Sequence, residues 1–133
     1  MDSFTLLDFY IKEIRVQLEL AVPVWHSGVT VKLFADIELI QRGAVSIVLG
    51  LTDFNYDHVC AMLGLKPLHI RRQELCERFS RKTASVKSRH CDLFQIQNSG
   101  YNTRSNMYRE HMCRTTRFFK SALLFLTRTL NQL

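Results

Sequence analysis

The sequence predicts a mainly α-helical fold, a small bundle of about five helices with a long irregular segment before the last helix. Apolar residues recur at alternating spacings of three and four along several segments, and residues that favour helix ends stand between those segments. A chain of 133 residues with 47% hydrophobic residues can bury roughly two-thirds of its unfolded surface in one core. We therefore expect a single helical domain over residues 1–133, composed of a helical bundle (1–84), an irregular basic segment (85–115) and a C-terminal helix (116–131).

The first helix is predicted from a long apolar seam. Pro23 lacks the N–H that would bond the carbonyl of Glu19, so the helix is expected to bend or end near Trp25. Because Trp25 continues the seam, core packing is favoured over base stacking for this side chain. The seam comprises Leu7, Ile11, Ile14, Leu18, Ala21 and Trp25.

Thr30 is expected to cap a second helix that Gly50 ends, with Gly43 inside it costing about 1 kcal/mol of helix propensity. Residues 45–51 alone would also fit a strand, but the 3.6-residue pattern runs through them and favours helix. Asn55 is expected to cap a short third helix. The buried stripe of the second helix is predicted as Phe34, Ile37, Ile40, Ala44 and Ile47, and that of the third as Tyr56, Val59, Cys60 and Leu63.

A fourth helix is predicted to begin at Pro67, because proline suits the first helical position and Gly64 suits the end of the helix before it. Its inward stripe is predicted as Leu68, Arg72, Leu75 and Phe79, with Arg72 a packed or ion-paired edge of the core. Two interpretations of its other charges stay open. Arg71, Arg78 and Lys82 share a face suited to polyanions, whereas Glu74 and Glu77, four residues before Arg78 and Arg81, would form ordinary helix-surface pairs.

Periodicity disappears from Ser85 to Thr115, and the turn signal at 98–100 divides this stretch. We expect it to be a loop that contacts nucleic acid or to be partly disordered, although 93–97 would also fit a short strand. The last helix is predicted from about Thr116. Its inward side is predicted as Phe119, Ala122, Leu126 and Leu130.

Charge is divided unevenly along the chain. Residues 1–65 carry four Lys and Arg against eight Asp and Glu, a net charge of −4, and residues 66–133 carry fourteen against four, a net charge of +10. Such a basic half favours phosphate polymers without sequence readout. A membrane partner is disfavoured because no basic helix has a broad Trp/Leu face. Base stacking is predicted for Tyr101 and Tyr108. The predicted nucleic-acid contacts are Arg71, Arg78, Arg81, Lys82, Arg104, Arg109 and Arg114.

The sequence contains no uncharged apolar run near the roughly 18 residues of a membrane span. Acidic residues stand near its start, where a signal peptide has a basic segment. The chain is therefore expected to be intracellular, in the cytoplasm or the nucleus. In that setting its four cysteines are expected to be free thiols, two of them on helix faces: Cys60, Cys76, Cys91 and Cys113.

No catalytic or metal site, and no cofactor, is predicted. The six aspartates are scattered and none are adjacent, whereas metal-dependent phosphoryl transfer needs carboxylates that converge on a cation. The pairs at 90–91 and 111–113 are too closely spaced for typical zinc ligands. Cys76 and His69, seven residues apart on one helix, would lie about 10 Å apart along its axis. The chain alone is therefore not expected to be an enzyme.

Five blocks of the sequence resemble, in order, the region that follows the catalytic palm in reverse transcriptases of non-LTR, jockey-like retrotransposons. The resemblance extends from about Leu6 to Asn131, and its distinctive parts are Trp-His-Ser-Gly at 25–28 and Tyr-Asn-Thr-Arg-Ser at 101–105. The blocks are 21–30, 37–41, 63–76, 101–105 and 113–122.

This resemblance implies a helical, thumb-like part that helps to hold the RNA template and the primer duplex. It also implies that the fingers, the palm with its magnesium-binding aspartates, and an endonuclease lie upstream. We therefore expect a truncated, non-catalytic fragment that binds RNA or an RNA–DNA duplex; the alternative is an inert or protein-interaction-only helical remnant. Apolar surface around Phe4, Phe9 or Tyr10 is expected to have packed against the missing palm, and its exposure is expected to favour self-association.

Overall fold

The computed structural model describes residues 1–85, 87–97 and 107–133, and it is mainly helical, as predicted. A π-helical turn (Tyr10–Ile14) joins the first two helices, and 3₁₀ turns occupy His26–Gly28 and Cys91–Leu93. The α-helices are α1 (Ser3–Phe9), α2 (Arg15–Glu19), α3 (Val22–Trp25), α4 (Val31–Leu49), α5 (Tyr56–Met62), α6 (Leu68–Ala84), α7 (Thr116–Phe119) and α8 (Ala122–Gln132).

The chain divides into two compact units. The first comprises Met1–Ala21 and Val29–Arg72, and the second comprises Val22–Gly28 and Gln73–Leu133. The boundary between the two units falls inside α6. The N-terminal residues of α6 belong to the first unit and its C-terminal residues to the second.

The first helical stretch ends earlier than predicted. A helix running past Pro23 would place its ring against the carbonyl of Glu19, and α2 stops at Glu19. Leu20 is extended and Ala21 has a φ of 52°, in the left-handed region, before α3 begins at Val22. Pro23 therefore lies in the first turn of a new helix, where its missing N–H is tolerated.

The π turn changes which residues of this stretch face the core. The N–H of Arg15 donates to the carbonyl of Tyr10, five residues back, so the turn holds one residue more than an α-helical turn. Tyr10 is buried, whereas Ile14, predicted to be in the core, is exposed. A strict alternation of three and four does not anticipate this extra residue.

Both ends of α4 agree with the prediction, but its buried stripe does not. The Thr30 side chain accepts a hydrogen bond from the N–H of Leu33, and Gly50, with a φ of 64°, ends the helix. The predicted core residues Ile40 and Ile47 are exposed. The buried residues lie one position further along the chain and are Gln41, Val45 and Val48.

The first unit is organised around an apolar cluster to which the π turn, α4 and α5 contribute. The Asn55 side chain caps α5, as predicted, by accepting a hydrogen bond from the N–H of His58 at 3.2 Å. Gly64, with a φ of 67°, allows the chain to turn before α6. The buried members of the cluster are Tyr10, Val45, Val59, Cys60 and Leu65.

The inward stripe of α6 also differs in part from its prediction. Phe79 is exposed, and the stripe continues instead through Cys76, Ser80 and Thr83. The hydroxyls of Ser80 and Thr83 donate to the carbonyls of Cys76 and Phe79 at 2.8 Å, so short polar side chains are satisfied on the buried face. The buried residues of this stripe are Leu68, Arg72, Cys76, Ser80 and Thr83.

The second unit has its own apolar cluster, formed by Val22, Cys76, Phe94 and Leu126, with Trp25 partly buried against it. An isolated antiparallel bridge pairs Ile96 with Tyr108. The predicted last helix is divided into α7 and α8, and Phe119, predicted to face inward, is 52% exposed. The buried residues of α8 are Leu124, Leu126, Thr127 and Thr129. Among the described residues, no helix combines the length and apolar composition needed to span a lipid bilayer.

Candidate nucleic-acid interface

The excess of positive charge belongs to the second unit. Its stretches of sequence, 22–28 and 73–133, contain eleven Lys and Arg against four Asp and Glu, a net charge of +7. Those of the first unit, 1–21 and 29–72, contain seven against eight, a net charge of −1. Long-range attraction of a polyanion is therefore directed mainly to the second unit.

Arg71, one of the predicted contacts, belongs to the first unit and forms an ion pair with Glu19. Its Nε donates to Glu19 Oε1 at 3.0 Å, and Arg15 Nε lies 3.6 Å from the same oxygen. The Glu19 side chain is largely buried, which strengthens its attraction for both guanidinium groups. A phosphate would have to compete with Glu19 for Arg71.

Arg72 is 1% exposed and serves the first unit as a structural cation. Its guanidinium carbon lies 4.8 Å from the centre of the Phe34 ring, and its Nη2 lies 3.9 Å from Glu38 Oε1. This placement agrees with the expected packed or ion-paired edge of the core. It also removes Arg72 from any solvent-facing binding surface.

The N-terminus of α6 is occupied by a carboxylate of the protein itself. Glu38 accepts hydrogen bonds from the N–H groups of Leu68 at 3.3 Å and His69 at 2.6 Å. Helix N-termini attract anions through unpaired N–H groups and the helix dipole, and here Glu38 already supplies the anion. The N-terminus of α6 is therefore already occupied by a carboxylate of the first unit.

Arg78, Arg81 and Lys82 form what we call the α6 basic face. All three are exposed on the side of α6 opposite Cys76 and Ser80, and they make no hydrogen bond or ion pair with the residues that the structure describes. The predicted helix-surface pairs of Arg78 and Arg81 with Glu74 and Glu77 are therefore not formed. Glu77 instead accepts a hydrogen bond from Gln73 Nε2 at 3.3 Å.

Arg109 and Arg114, also predicted contacts, are both exposed in the second unit. The backbone N–H of Arg109 donates to the Gln95 carbonyl at 2.8 Å, which fixes the main chain at this residue. Arg114 lines a shallow pocket with Phe119. The predicted residues Arg104 and Tyr101 lie outside the described residues.

Tyr108 packs against protein, in contrast to the base-stacking role predicted for it. Its ring meets Phe94 edge-on at 6.4 Å, and its backbone N–H and carbonyl bond the Asn131 amide at 2.9 and 3.1 Å. It is also partly buried against the second apolar cluster. Tyr108 therefore anchors the chain near the end of α8.

Sequence reasoning missed a group of exposed residues in and beside α7. Arg117, Phe118, Phe119 and Lys120 are all exposed. The signal was present, because the cations Arg114, Arg117 and Lys120 surround the adjacent Phe118 and Phe119, a composition typical of surfaces that bind single strands. The helical period instead predicts Phe119 on the inward stripe of the last helix.

The described residues do not bring three His, Cys, Asp or Glu side chains together in a way that would hold a metal ion. The Cys113 thiol donates to the His111 carbonyl at 3.4 Å instead of joining the imidazole in a ligand pair. Burial raises the pKa of the Cys60 thiol, which favours the unreactive protonated form. What the arrangement offers chemically is a set of exposed cations.

No protein-family model, curated protein or solved structure significantly matches this chain.

Proposed function

We propose that this chain is a non-catalytic fragment from the C-terminal, thumb-like part of a non-LTR retrotransposon reverse transcriptase, and that it binds RNA or an RNA–DNA duplex. The reverse-transcriptase assignment rests on the five sequence blocks and their order. The binding assignment rests on one structural observation: the α6 basic face of Arg78, Arg81 and Lys82 is exposed, while Arg71 and Arg72 of the same helix are paired with carboxylates.

Helical spacing makes this face suitable for a sugar–phosphate backbone. Residues three and four positions apart are neighbours on a helix surface, so Arg78 lies beside both Arg81 and Lys82. Each phosphate that such a group neutralises releases condensed counterions, which makes binding salt-dependent and tolerant of sequence. We expect a dissociation constant of about 10⁻⁴ to 10⁻⁶ M at physiological salt, the range of non-specific binders.

An interaction-only remnant is the second candidate, and an apolar groove in the first unit favours it. Phe9 is 55% exposed at this groove, and Ile14 and Ile47 are exposed beside it. We assign this groove to the missing upstream palm, and in its absence to self-association. Tyr10 was expected at the same surface, but it is buried and its hydroxyl donates to Gln41 Oε1 at 2.9 Å.

Fluorescence anisotropy with a labelled RNA–DNA duplex across a salt series tests the binding proposal. The Arg78→Ala, Arg81→Ala, Lys82→Ala triple variant should flatten the slope of log affinity against log salt by up to about three units, roughly one for each lost contact.

The matched control is the Lys12→Ala, Lys32→Ala, Arg42→Ala triple variant, whose substitutions lie in the first unit. It removes the same net charge and should leave the slope close to that of the unaltered chain. The α6 basic face would be rejected as the binding surface if the affinity did not depend on salt. It would also be rejected if the two triple variants changed the slope of log affinity against log salt equally.

A further inference from the structure

Two shallow pockets beside α7 each combine an exposed aromatic ring with a guanidinium group. One is lined by Arg117 and Phe118, with Thr115 and Ser121. The other is lined by Arg114 and Phe119, and it shares Thr115. Phe118 is 40% exposed and Phe119 is 52% exposed, so neither ring is covered by the second unit's own core. Each pocket therefore offers one apolar ring and one cation to a ligand.

The Phe119 ring is held in place from one side. The Arg128 guanidinium carbon lies 4.0 Å from the ring centre, and Arg128 Nη1 donates to the Phe119 carbonyl at 3.3 Å. Arg128 is itself held by Glu110, because its Nε lies 3.4 Å from Glu110 Oε2. The rest of the exposed ring is thus presented as a fixed platform, which lowers the entropy cost of stacking a ligand on it.

The charges around these rings favour an anionic ligand. Arg114, Arg117 and Lys120 are exposed and form no ion pair with the described residues. The carboxylate of Glu110 is engaged by Arg128, and none of the described residues that line the two pockets is acidic. A ligand that has both flat aromatic groups and regularly spaced negative charges satisfies both features.

We propose that α7 carries a stacking site for a single-stranded segment of RNA or DNA. Two neighbouring bases stack on Phe118 and Phe119, and the phosphates beside them contact Arg117 and Arg114. A single strand is specified because the bases of a duplex are stacked on one another and do not offer their faces. This inference rests on the proposed function and adds a strand type to it: the α6 basic face holds backbone phosphates, and α7 selects unpaired bases.

An oligothymidylate of about 12 nucleotides, within the usual site size for single strands, is the probe, and an abasic oligomer of equal length is its charge-matched comparison. In anisotropy measurements, the full chain should bind oligothymidylate more tightly than it binds the abasic oligomer. Phe119→Leu should weaken oligothymidylate binding roughly 5- to 150-fold, the loss of one stacked base. Binding of the abasic oligomer should stay unchanged.

Two further variants keep the test independent of folding. Phe119→Tyr retains the ring and should bind like the unaltered chain. Phe4→Leu makes the same change as Phe119→Leu at another exposed phenylalanine, in the first unit, and should have no effect.

Equal affinity for the thymidylate and abasic oligomers, or unchanged affinity after joint Phe118→Leu and Phe119→Leu substitution, would overturn the stacking site. The proposed function would survive that result if binding still depended on salt and on the α6 basic face. Absence of salt-sensitive binding to these oligomers and to the RNA–DNA duplex alike would overturn both.

Discussion

The carboxylate of Glu38 in α4 accepts a hydrogen bond of 2.6 Å from the backbone N–H of His69, in the first turn of α6. It accepts a second from Leu68 at 3.3 Å, and Arg72 Nη2 lies 3.9 Å away. One side chain therefore satisfies N–H groups that have no partner inside the helix and supplies negative charge to a buried guanidinium. The start of α6 is fixed to α4 by this residue, 31 positions earlier in the chain.

Glu38→Gln is expected to lower the free energy of unfolding by about 3 kcal/mol, because it leaves the buried Arg72 charge without its carboxylate. Urea unfolding followed by far-ultraviolet circular dichroism measures the change. Asp36→Asn, at an exposed position of the same helix, is the control and should cost about 0.5 kcal/mol or less. Equal losses in the two variants would contradict a structural role for Glu38.

Stability should fall at alkaline pH because of Tyr10. Burial raises the pKa of the Tyr10 hydroxyl from its ordinary 10.0 to about 12. The unfolded chain releases this proton near pH 10 and the folded chain keeps it to about pH 12. The stabilisation that the protonated Tyr10 hydroxyl gives the folded chain is thus complete below pH 10 and is lost between pH 10 and pH 12. Each pH unit in this interval should remove at most about 1.4 kcal/mol.

The comparison of the unaltered chain with Tyr10→Phe, by urea unfolding from neutral pH to pH 12, isolates this contribution. At neutral pH the variant should be less stable by about 1–3 kcal/mol, because Gln41 Oε1 loses its buried donor. The difference should narrow above pH 10. Curves that stay parallel across the alkaline range would show that Tyr10 does not keep its proton in the folded chain.

Two glycine substitutions should change stability in opposite directions. Gly43 lies inside α4 with open space where a Cβ would stand, so Gly43→Ala should stabilise the chain by about 0.5–1 kcal/mol. Gly64 has a φ of 67°, so Gly64→Ala should cost about 1–2 kcal/mol. Thermal unfolding measures both. A midpoint that moves in the same direction for the two variants would be inconsistent with these backbone conformations.

The apolar groove of the first unit should cause the chain to self-associate. Phe9→Ser and Ile47→Ser remove exposed apolar side chains from the groove and should shift the protein toward monomer. Sedimentation velocity at several protein concentrations measures this. Val31→Ser alters a more exposed valine outside the groove and should leave association unchanged. A chain that is monomeric throughout, or a control with the same effect, would count against the groove.

Local signals predicted helix ends better than buried faces. The Thr30 cap and the Gly50 end of α4 follow from backbone chemistry within a few residues, and the structure confirms both. Gln41 was not predicted to be buried because its partners are distant in sequence: Tyr10, Tyr56 and Lys66, which are 31, 15 and 25 positions away. A hydropathy pattern treats a glutamine as a surface residue unless such partners are known.

The same distinction applies to the candidate interface. Exposure of Arg78 and Lys82 follows from helical periodicity, because they stand opposite the buried stripe. The ion pair of Arg71 with Glu19 joins residues 52 positions apart, and periodicity contains no information about it. A continuous last helix predicts Phe119 on the inward side, whereas the structure breaks this helix between α7 and α8 and leaves the ring exposed.

The π turn at Tyr10–Ile14 should allow this part of the chain to lose one residue. A π turn holds one residue more than the α-helical turn it replaces, so deletion of Lys12 would restore the regular geometry and keep Leu18 on the side of Tyr10. The same deletion within α4 would rotate every later residue of that helix by about 100°. Tyr10–Ile14 is therefore a place where the protein can lose a residue without losing its core.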